Sequence, residues 1–240
     1  VTFEFENIPE PTLQMLTDRR LVRPARVALR VSQDRALEKR FVGDAGIATA
    51  EWAEVASGRE LADALGRIRP PAILKTARLG YDGKGQVRIA ADDDPERAWA
   101  ALGGVRAVLE GFVDFERELS VVLARGFDSS IAAYPPVENR HDHGILATTL
   151  APAGIPAALA AEAVAIASRI ASGLDLVGLL AVEMFQTRDG RILVNEIAPR
   201  PHNSGHWTID ACRVSQFEQF VRAVCGLPLG STERHSDAVM

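Results

Sequence analysis

Helix-forming segments alternate with short apolar runs along the chain. Signals for helix starts, a polar N-cap or a proline in the first turn, stand at Ser32, Ser57, Asp94, Pro156 and Ser215. We expect the helix after Ser32 to run to about Ala45. The alanine-rich helix after Pro156 is expected to end at Gly173, because glycine favours helix C-termini. A further short helix is predicted before Arg20.

Alternating or continuously apolar runs predict strands between these helices. They cover Val1–Phe5, Ala72–Thr76, Val105–Leu109, Glu118–Arg125, Ile131–Tyr134, Ile145–Leu150, Val177–Phe185 and Arg191–Ile197. Consecutive strands are joined mainly by turns rather than by helices in regular βαβ alternation. The pattern therefore predicts an α+β fold.

Composition and charge exclude several classes of protein. Of the 240 residues, 47% are hydrophobic and 25% are charged, which is typical of a folded globular chain. The net charge of −5 without a basic block argues against a nucleic-acid platform. An apolar run of about 18 residues is absent, which argues against a membrane span. The two cysteines argue against a disulfide framework and fit the cytoplasm. Because the chain begins at Val1, it is expected to be a piece of a longer protein.

A glycine-rich segment between two predicted strands is the first candidate for chemistry. It runs from Gly80 to Gln86, with Lys75 on the incoming strand and Lys84 inside the loop. Glycines let backbone N–H groups converge on phosphate oxygens, and the lysines add positive charge. The chain has only three lysines, so two of them here favour a phosphate site. A flexible hairpin loop without a ligand is the alternative.

Two glutamates are predicted to face each other on a hairpin. A two-residue turn at Asp189–Gly190 would pair Phe185 with Val194 and Glu183 with Glu196. Carboxylates placed so closely repel each other, and a divalent cation between them removes the repulsion. The hard oxygen ligands favour Mg²⁺, which also takes phosphate oxygens. A solvated sheet face and a general acid/base dyad remain alternatives.

Polar residues follow the second glutamate closely. Asn195 adjoins the pair, and Arg200, His202 and Asn203 come just after the strand, where they could hold an anion or relay a proton. The segment Glu138–His143, which contains His141, is a second polar cluster, and an exposed loop is its alternative reading.

Several motifs together resemble one enzyme family. They are Phe5-Glu-Asn, Gln33-Asp-Arg-x-x-Glu-Lys, Lys75-Thr, Gly80-Tyr-Asp-Gly-Lys-Gly-Gln, Phe115-Glu-Arg-Glu-Leu-Ser and Asn195-Glu-Ile-Ala-Pro-Arg-Pro-His-Asn-Ser-Gly-His-Trp. The chain resembles the ATP-grasp ligases and, more closely, the N5-carboxyaminoimidazole ribonucleotide synthetases of purine biosynthesis. The resemblance covers nearly the whole chain.

The resemblance implies a carboxylating ligase. ATP would phosphorylate bicarbonate to carboxyphosphate, and the amine of 5-aminoimidazole ribonucleotide would capture the activated carboxyl group. It implies ATP and Mg²⁺ as cofactors, aminoimidazole ribonucleotide and bicarbonate as partners, and a homodimer. The alternatives to this carboxylating ligase are another ATP-grasp carboxylate–amine ligase and a truncated nucleotide-binding module without turnover.

The same resemblance implies roles for individual residues. Contacts to ATP are implied for Arg35, Lys75, Gly80, Tyr81, Asp82, Gly83, Gly85, Gln86, Glu110, Val113, Glu118, His141 and Asn195. Of these, Glu110–Val113 would hold adenine and Glu118 the ribose. Glu183 and Glu196 would bind Mg²⁺. Tyr81, Asp82 and Lys84 would face the aminoimidazole nucleotide, and Arg200, His202 and Asn203 would hold bicarbonate and the carboxylated intermediate.

The family's domain pattern implies an ATP-grasp fold with a small lid subdomain and a larger subdomain built on an antiparallel sheet. Residues 1–28 would be the end of an N-terminal Rossmann-like domain, mostly missing here, with a connector. Residues 29–50 would be a helical connector, 51–113 the lid, and 114–240 the larger subdomain.

Overall fold

The computed structural model describes residues 1–80 and 83–240. Its helices are α1 (Glu10–Thr17), α2 (Arg26–Ser32), α3 (Arg35–Asp44), α4 (Gly58–Leu65), α5 (Pro95–Ala101), α6 (Ala157–Gly173), α7 (Thr208–Ala211) and α8 (Gln216–Cys225). None of the helices in this part of the chain has the length and apolar character needed to cross a membrane.

The strands form two antiparallel sheets. The small sheet has the order β1 (Trp52–Val55), β4 (Ala107–Gly111), β2 (Ala72–Thr76) and β3 (Gln86–Ile89). The large sheet has the order β10 (Ile192–Ala198), β9 (Gly178–Thr187), β5 (Phe115–Arg125), β7 (Val137–Asp142), β8 (Ile145–Ala151) and β11 (Ala238–Val239), with β6 (Ile131–Ala133) paired to β5. The predicted α+β class is confirmed.

One face of the large sheet packs against α6 over β5, β9 and β10, and the apolar residues on it recur with the period of two of a strand. On β5, Leu119, Val121 and Leu123 are buried in one core with α6, and alanines such as Ala167 let that helix approach closely. This core is the largest apolar cluster in the described part of the chain. It fixes the sheet that carries the candidate site.

The opposite face of the large sheet is covered over only half of its length. Val122 and Ala124 pack with Trp207 and Phe220 of the α7–α8 region. Further along the same face, the sequence changes from apolar to polar residues, Glu118 and Ser120 on β5 among them. This polar half, in which Ser120 is buried and Glu118 is partly exposed, is where the candidate site lies.

The small sheet is covered on one face by α4 and α5. Leu74 on β2 and Leu109 on β4 are fully buried in that core. The residues that alternate with them, including Lys75 and Glu110, point to the other face. The alternation therefore directs these charged side chains away from the apolar core and toward the large sheet.

The first part of the chain differs from the sequence-based expectation in two respects. Val1–Phe5 forms no strand: Phe3 packs against α1 and α2, whereas Phe5 is exposed. The predicted cap Ser32 is the last residue of α2, and α3 is capped instead by Asp34, whose carboxylate accepts hydrogen bonds from Ala36 N and Leu37 N. The predicted helix therefore begins two residues later than expected, and α2 before it was not predicted.

Other local predictions are confirmed. Ser57, Asp94 and Ser215 cap α4, α5 and α8 with their side-chain oxygens, and α8 ends at Gly226 in the left-handed conformation.

The polar segment Glu138–His143 is not a loop, because most of it is β7, with Asn139 buried and Arg140 exposed. Strand β1 was not predicted.

Candidate active site

Glu183 and Glu196 lie directly opposite each other on β9 and β10, as the sequence predicted. Ser120 of β5 pairs with Glu183 on its other side. Both glutamates lie on the polar half of the large sheet, and their side chains are partly exposed. Two carboxylates therefore converge on one open surface.

The hairpin reaches this pairing by a different route from the predicted one. Three residues, Arg188 to Gly190, separate Thr187 from Arg191, which close the turn, so the predicted two-residue turn is wrong. Phe185 consequently lies opposite Leu193 and not Val194. A β-bulge at Asn195 shifts the register by one residue and restores the Glu183–Glu196 pair.

Helix α3 brings three charged side chains to the site. Arg35 Nη1 donates a hydrogen bond to Glu196 Oε2 at 3.1 Å, and Glu38 Oε2 accepts one from Ile197 N at 3.2 Å. Burial raises the pKa of Glu196, but the positive charges of Arg35 and Lys75 lower it by more than burial raises it. The pKa of Glu196 therefore lies below its usual range. Burial and the charge of Glu196 raise the pKa of Glu38 to about 8.

The charged face of the small sheet adds a second cluster. Lys75 Nζ donates to Glu110 Oε2 at 2.9 Å and lies 3.4 Å from Asn195 Oδ1. Lys39 Nζ is 3.2 Å from Glu110 Oε1. Burial raises the pKa of Glu110, but Lys75 and Lys39 outweigh it and lower the pKa to about 2. Glu110 is therefore an anion held between two ammonium groups.

The glycine-rich loop joins β2 to β3, and its residues Tyr81 and Asp82 lie outside the described residues. Thr76 N donates to Gly85 O at 2.8 Å. Gly85 has a φ of +71°, and a Cβ there would lie 2.7 Å from Thr76 Oγ1, so this position requires glycine. Gly80 and Lys84 belong to the same loop, and Gln86 begins β3 beside Lys75.

Gly83 brings the loop to the large sheet. A Cβ on Gly83 would lie 3.1 Å from the carbonyl oxygen of His143, in the turn between β7 and β8. The first of these two strands, β7, carries His141, whose Nδ1 is 2.6 Å from Glu118 Oε2. This hydrogen bond raises the pKa of His141. Glu118 and His141 therefore form one unit at the edge of the polar face.

The chain that follows Glu110 crosses from the small sheet to the large one. Val113 lies in this crossing and lines a groove of about 740 Å³, together with Phe112 and Leu193. On the large sheet, the rings of Phe115 and Phe185 stack with centroids 4.8 Å apart. The groove borders the crossing segment, and the stacked rings are the aromatic surface of the polar face nearest to it in sequence.

The polar segment after β10 lies beside the carboxylate pair. His202 Nε2 is 3.2 Å from Glu183 Oε1, and Asn203 begins a short 3₁₀ turn. Arg200 donates two hydrogen bonds to Glu6, from Nε at 2.6 Å and from Nη2 at 3.1 Å. Contacts thus link seven of the candidate residues where the two sheets meet: Arg35, Lys75, Glu110, Glu183, Asn195, Glu196 and His202.

No individual role was predicted for Glu38, Lys39 or Glu6. A signal for the first two was present, because Arg35, Glu38, Lys39 and Val42 have the spacing i, i+3, i+4, i+7 of a buried helix face. Charged residues on such a face indicate buried ion pairs or a site. For Glu6, the only indication in the sequence was its place in the motif Phe5-Glu-Asn, one of those that carry the family resemblance.

We expect Asp34→Ala to lower the free energy of unfolding by about 2 kcal/mol or more, because Asp34 both caps α3 and pairs with Arg106. Asp94→Ala is the matched control: Asp94 caps α5 with the same two N–H bonds, and it is exposed. Its expected loss is about 1 kcal/mol. Equal losses in urea unfolding would contradict a contribution from Arg106.

Comparison with known proteins defines the class. Residues 40–217 match the family model of the ATP-grasp domain. Two sheets facing a charged cleft agree with that assignment, and the chain belongs to the ATP-grasp family.

The individual relatives narrow the assignment. The chain is 50% identical over 242 residues to the N5-carboxyaminoimidazole ribonucleotide synthase of Brucella melitensis, covering 100% of this chain and 67% of that protein. A crystal structure of an N5-carboxyaminoimidazole ribonucleotide synthetase with ADP superimposes with a TM-score of 0.96 at 42% identity, covering 100% of this chain and 63% of that one. A crystal structure of the Aspergillus clavatus N5-carboxyaminoimidazole synthase with ADP and 5-aminoimidazole ribonucleotide superimposes with a TM-score of 0.90 at 30% identity. The match covers 97% of this chain and 62% of that one. Within the ATP-grasp family, the chain falls among these synthases, and it spans about two thirds of their length.

Proposed function

We propose that the chain catalyses, as the ATP-grasp core of an N5-carboxyaminoimidazole ribonucleotide synthase, the ATP- and bicarbonate-dependent carboxylation of 5-aminoimidazole ribonucleotide. The γ-phosphoryl group of ATP passes to bicarbonate, giving carboxyphosphate and ADP. The exocyclic amine then attacks the activated carboxyl carbon and phosphate leaves. The observation that carries the proposal is the carboxylate pair facing Lys75 and Arg35, because phosphoryl transfer requires mainly positioning and charge neutralisation.

The residues around the carboxylate pair fit Mg²⁺. Glu183 and Glu196 offer hard carboxylate oxygens, and the bulged Asn195 adds an amide oxygen beside them. Among the described residues, no group of three or more His, Cys, Asp or Glu side chains forms a metal site, so water or phosphate oxygens would complete the shell. When bound, Mg²⁺ would neutralise the phosphate charge during transfer.

The nucleotide would lie along the cleft. Val113 and the backbone from Glu110 would hold adenine in the groove, with the Phe115–Phe185 stack nearby. Glu118, oriented by His141, would accept hydrogen bonds from the ribose hydroxyls. Lys75, Arg35, Asn195 and Gln86, with the loop residues Gly80, Gly83 and Gly85, would contact the phosphates.

Bicarbonate and 5-aminoimidazole ribonucleotide would lie on the side of the carboxylate pair opposite the nucleotide. Arg200 and Asn203 would hold bicarbonate, and His202, beside Glu183, would stabilise charge on the intermediate. Glu6 fixes the plane of the Arg200 guanidinium with two hydrogen bonds, and Pro201 O accepts a third from Nη1. One N–H on each terminal nitrogen remains for an anion. Lys84 would face the aminoimidazole nucleotide. The homodimer and the cytoplasmic location stay predictions.

The test is ADP formation by the chain with ATP and Mg²⁺. We expect turnover to require both bicarbonate and 5-aminoimidazole ribonucleotide, and carbon from labelled bicarbonate to appear in the nucleotide product. ADP formation that is independent of the two small substrates would contradict the proposed reaction. Tight ATP binding without any turnover would favour a nucleotide-binding module instead.

A further inference from the structure

Lys39 is a charged side chain that the proposed reaction does not use. It is one of three lysines in the chain and only 2% exposed, on the inner face of α3. Its Nζ lies 3.2 Å from Glu110 Oε1, and within the described part of the chain neither atom makes a hydrogen bond. Lys39 therefore acts on Glu110 through its charge.

Glu110 has a second cationic partner. Its other carboxylate oxygen accepts a hydrogen bond from Lys75 Nζ at 2.9 Å, and the Glu110 side chain is 5% exposed. In such a poorly solvated place, opposite charges attract each other strongly. With Lys75 alone, the pair would be neutral, and moving Lys75 toward a ligand would leave a buried, unpaired carboxylate.

Lys39 changes this balance. One carboxylate between two ammonium groups leaves a net charge of +1. Lys75 Nζ is also 3.4 Å from Asn195 Oδ1, next to Glu196, so the charge is available where the cleft meets the carboxylate pair. Lys39 itself is too deeply buried to reach the open cleft.

We propose that Lys39 is a positioning residue that supplies the counter-charge of Glu110 and so leaves the Lys75 ammonium able to bind the phosphates of ATP. The inference rests on the proposed function, in which ATP occupies this cleft. Lys39 acts through Glu110 and Lys75 and touches no substrate. Its contribution is therefore directed at the phosphates and not at the adenosine part of the nucleotide.

The test compares the affinities of ATP and adenosine by calorimetry on the folded chain with Mg²⁺. Lys39→Met removes the charge and keeps the length of the side chain. We expect ATP to bind about tenfold more weakly and adenosine to bind as before, because one charge-assisted phosphate contact is lost. The control is Arg40→Met, which removes an exposed cation from the same helix and is expected to leave both affinities unchanged.

Two further variants separate charge from structure. In Lys39→Met/Glu110→Gln no carboxylate holds Lys75, so we expect the ratio of ATP to adenosine affinity to return toward that of the wild type. In a Lys75→Met background, Lys39→Met should change this ratio little. Should Lys39→Met alone fail to fold, the double variant still tests the charge argument.

The inference is wrong if Lys39→Met leaves the ratio unchanged, or if the double variant keeps the low ratio. An equal loss of ATP and adenosine affinity would show a purely structural role and would also overturn it. A wild-type chain that binds no ATP would refute the proposed function. A wild-type chain that binds ATP, with an unaffected Lys39→Met variant, would refute this inference alone.

Discussion

Replacing Glu196 by glutamine is expected to lower Mg²⁺-dependent ATP turnover by at least about a hundredfold. Glu196 lies opposite Glu183 and is kept ionised by the neighbouring charges of Arg35 and Lys75. Glutamine has nearly the same shape but no charge, so the site would lose half of the negative charge that attracts a divalent cation. Arg35 would also lose its ion-pair partner.

The measurement is the rate of ADP formation over a range of Mg²⁺ concentrations. We expect the remaining activity of Glu196→Gln to require much more Mg²⁺, while thermal unfolding shows a folded protein. Glu162→Gln is the control, since Glu162 is exposed on α6, across the sheet from the site. Wild-type turnover and wild-type Mg²⁺ dependence in Glu196→Gln would refute the metal assignment.

Local signals were sufficient for much of the fold. Ser57, Asp94 and Ser215 cap their helices because each needs only a side-chain oxygen and the N–H groups two or three residues later. Ser32 satisfies the same rule in the sequence, yet α3 begins two residues later. Arg106, 72 residues away, pairs with the capping carboxylate of Asp34 and lowers its pKa despite burial. Such a distant partner is not visible in a local pattern.

The carboxylate pair was predicted correctly although the hairpin was not. The turn is one residue longer than Asp189–Gly190 implied, and this moves every pairing from Met184 to Gln186 by one position. The bulge at Asn195 then cancels the shift before Glu196. Neither deviation has a clear signal in the sequence, and only their sum preserves the predicted contact. The bulge is also what places Asn195 near Lys75.

The charged face of α3 shows the other limit of sequence analysis. Its spacing indicates a buried face, but the partners of Arg35 and Lys39 are Glu196 on the large sheet and Glu110 on the small one. Both contacts join segments that are far apart in sequence and meet only through the order of strands in the two sheets. Periodicity can identify such residues as buried but cannot supply their partners.

The second large effect is expected on stability. Glu110→Gln should lower the free energy of unfolding at neutral pH by about 3 kcal/mol, because it leaves Lys39 and Lys75 close together without an anion. The pKa of Glu110 is about 2 in the folded chain, against an ordinary value of 4.5. At about 1.4 kcal/mol for each pH unit, this difference is also worth about 3 kcal/mol.

The same pKa difference determines how the effect depends on pH. A carboxylate with a lowered pKa stabilises the fold fully above pH 4.5, and this stability is lost as the pH falls from about 4.5 to about 2. The gap between the wild type and Glu110→Gln in urea unfolding should therefore be widest at neutral pH and close over that range. Asp63→Asn, an exposed carboxylate on α4 beside the same sheet, should show no such gap. A gap that stays constant between pH 7 and pH 3 would mean that the two lysines do not hold Glu110 ionised. The net charge of +1 assigned to Glu110, Lys39 and Lys75, on which the proposed role of Lys39 rests, would then be wrong as well.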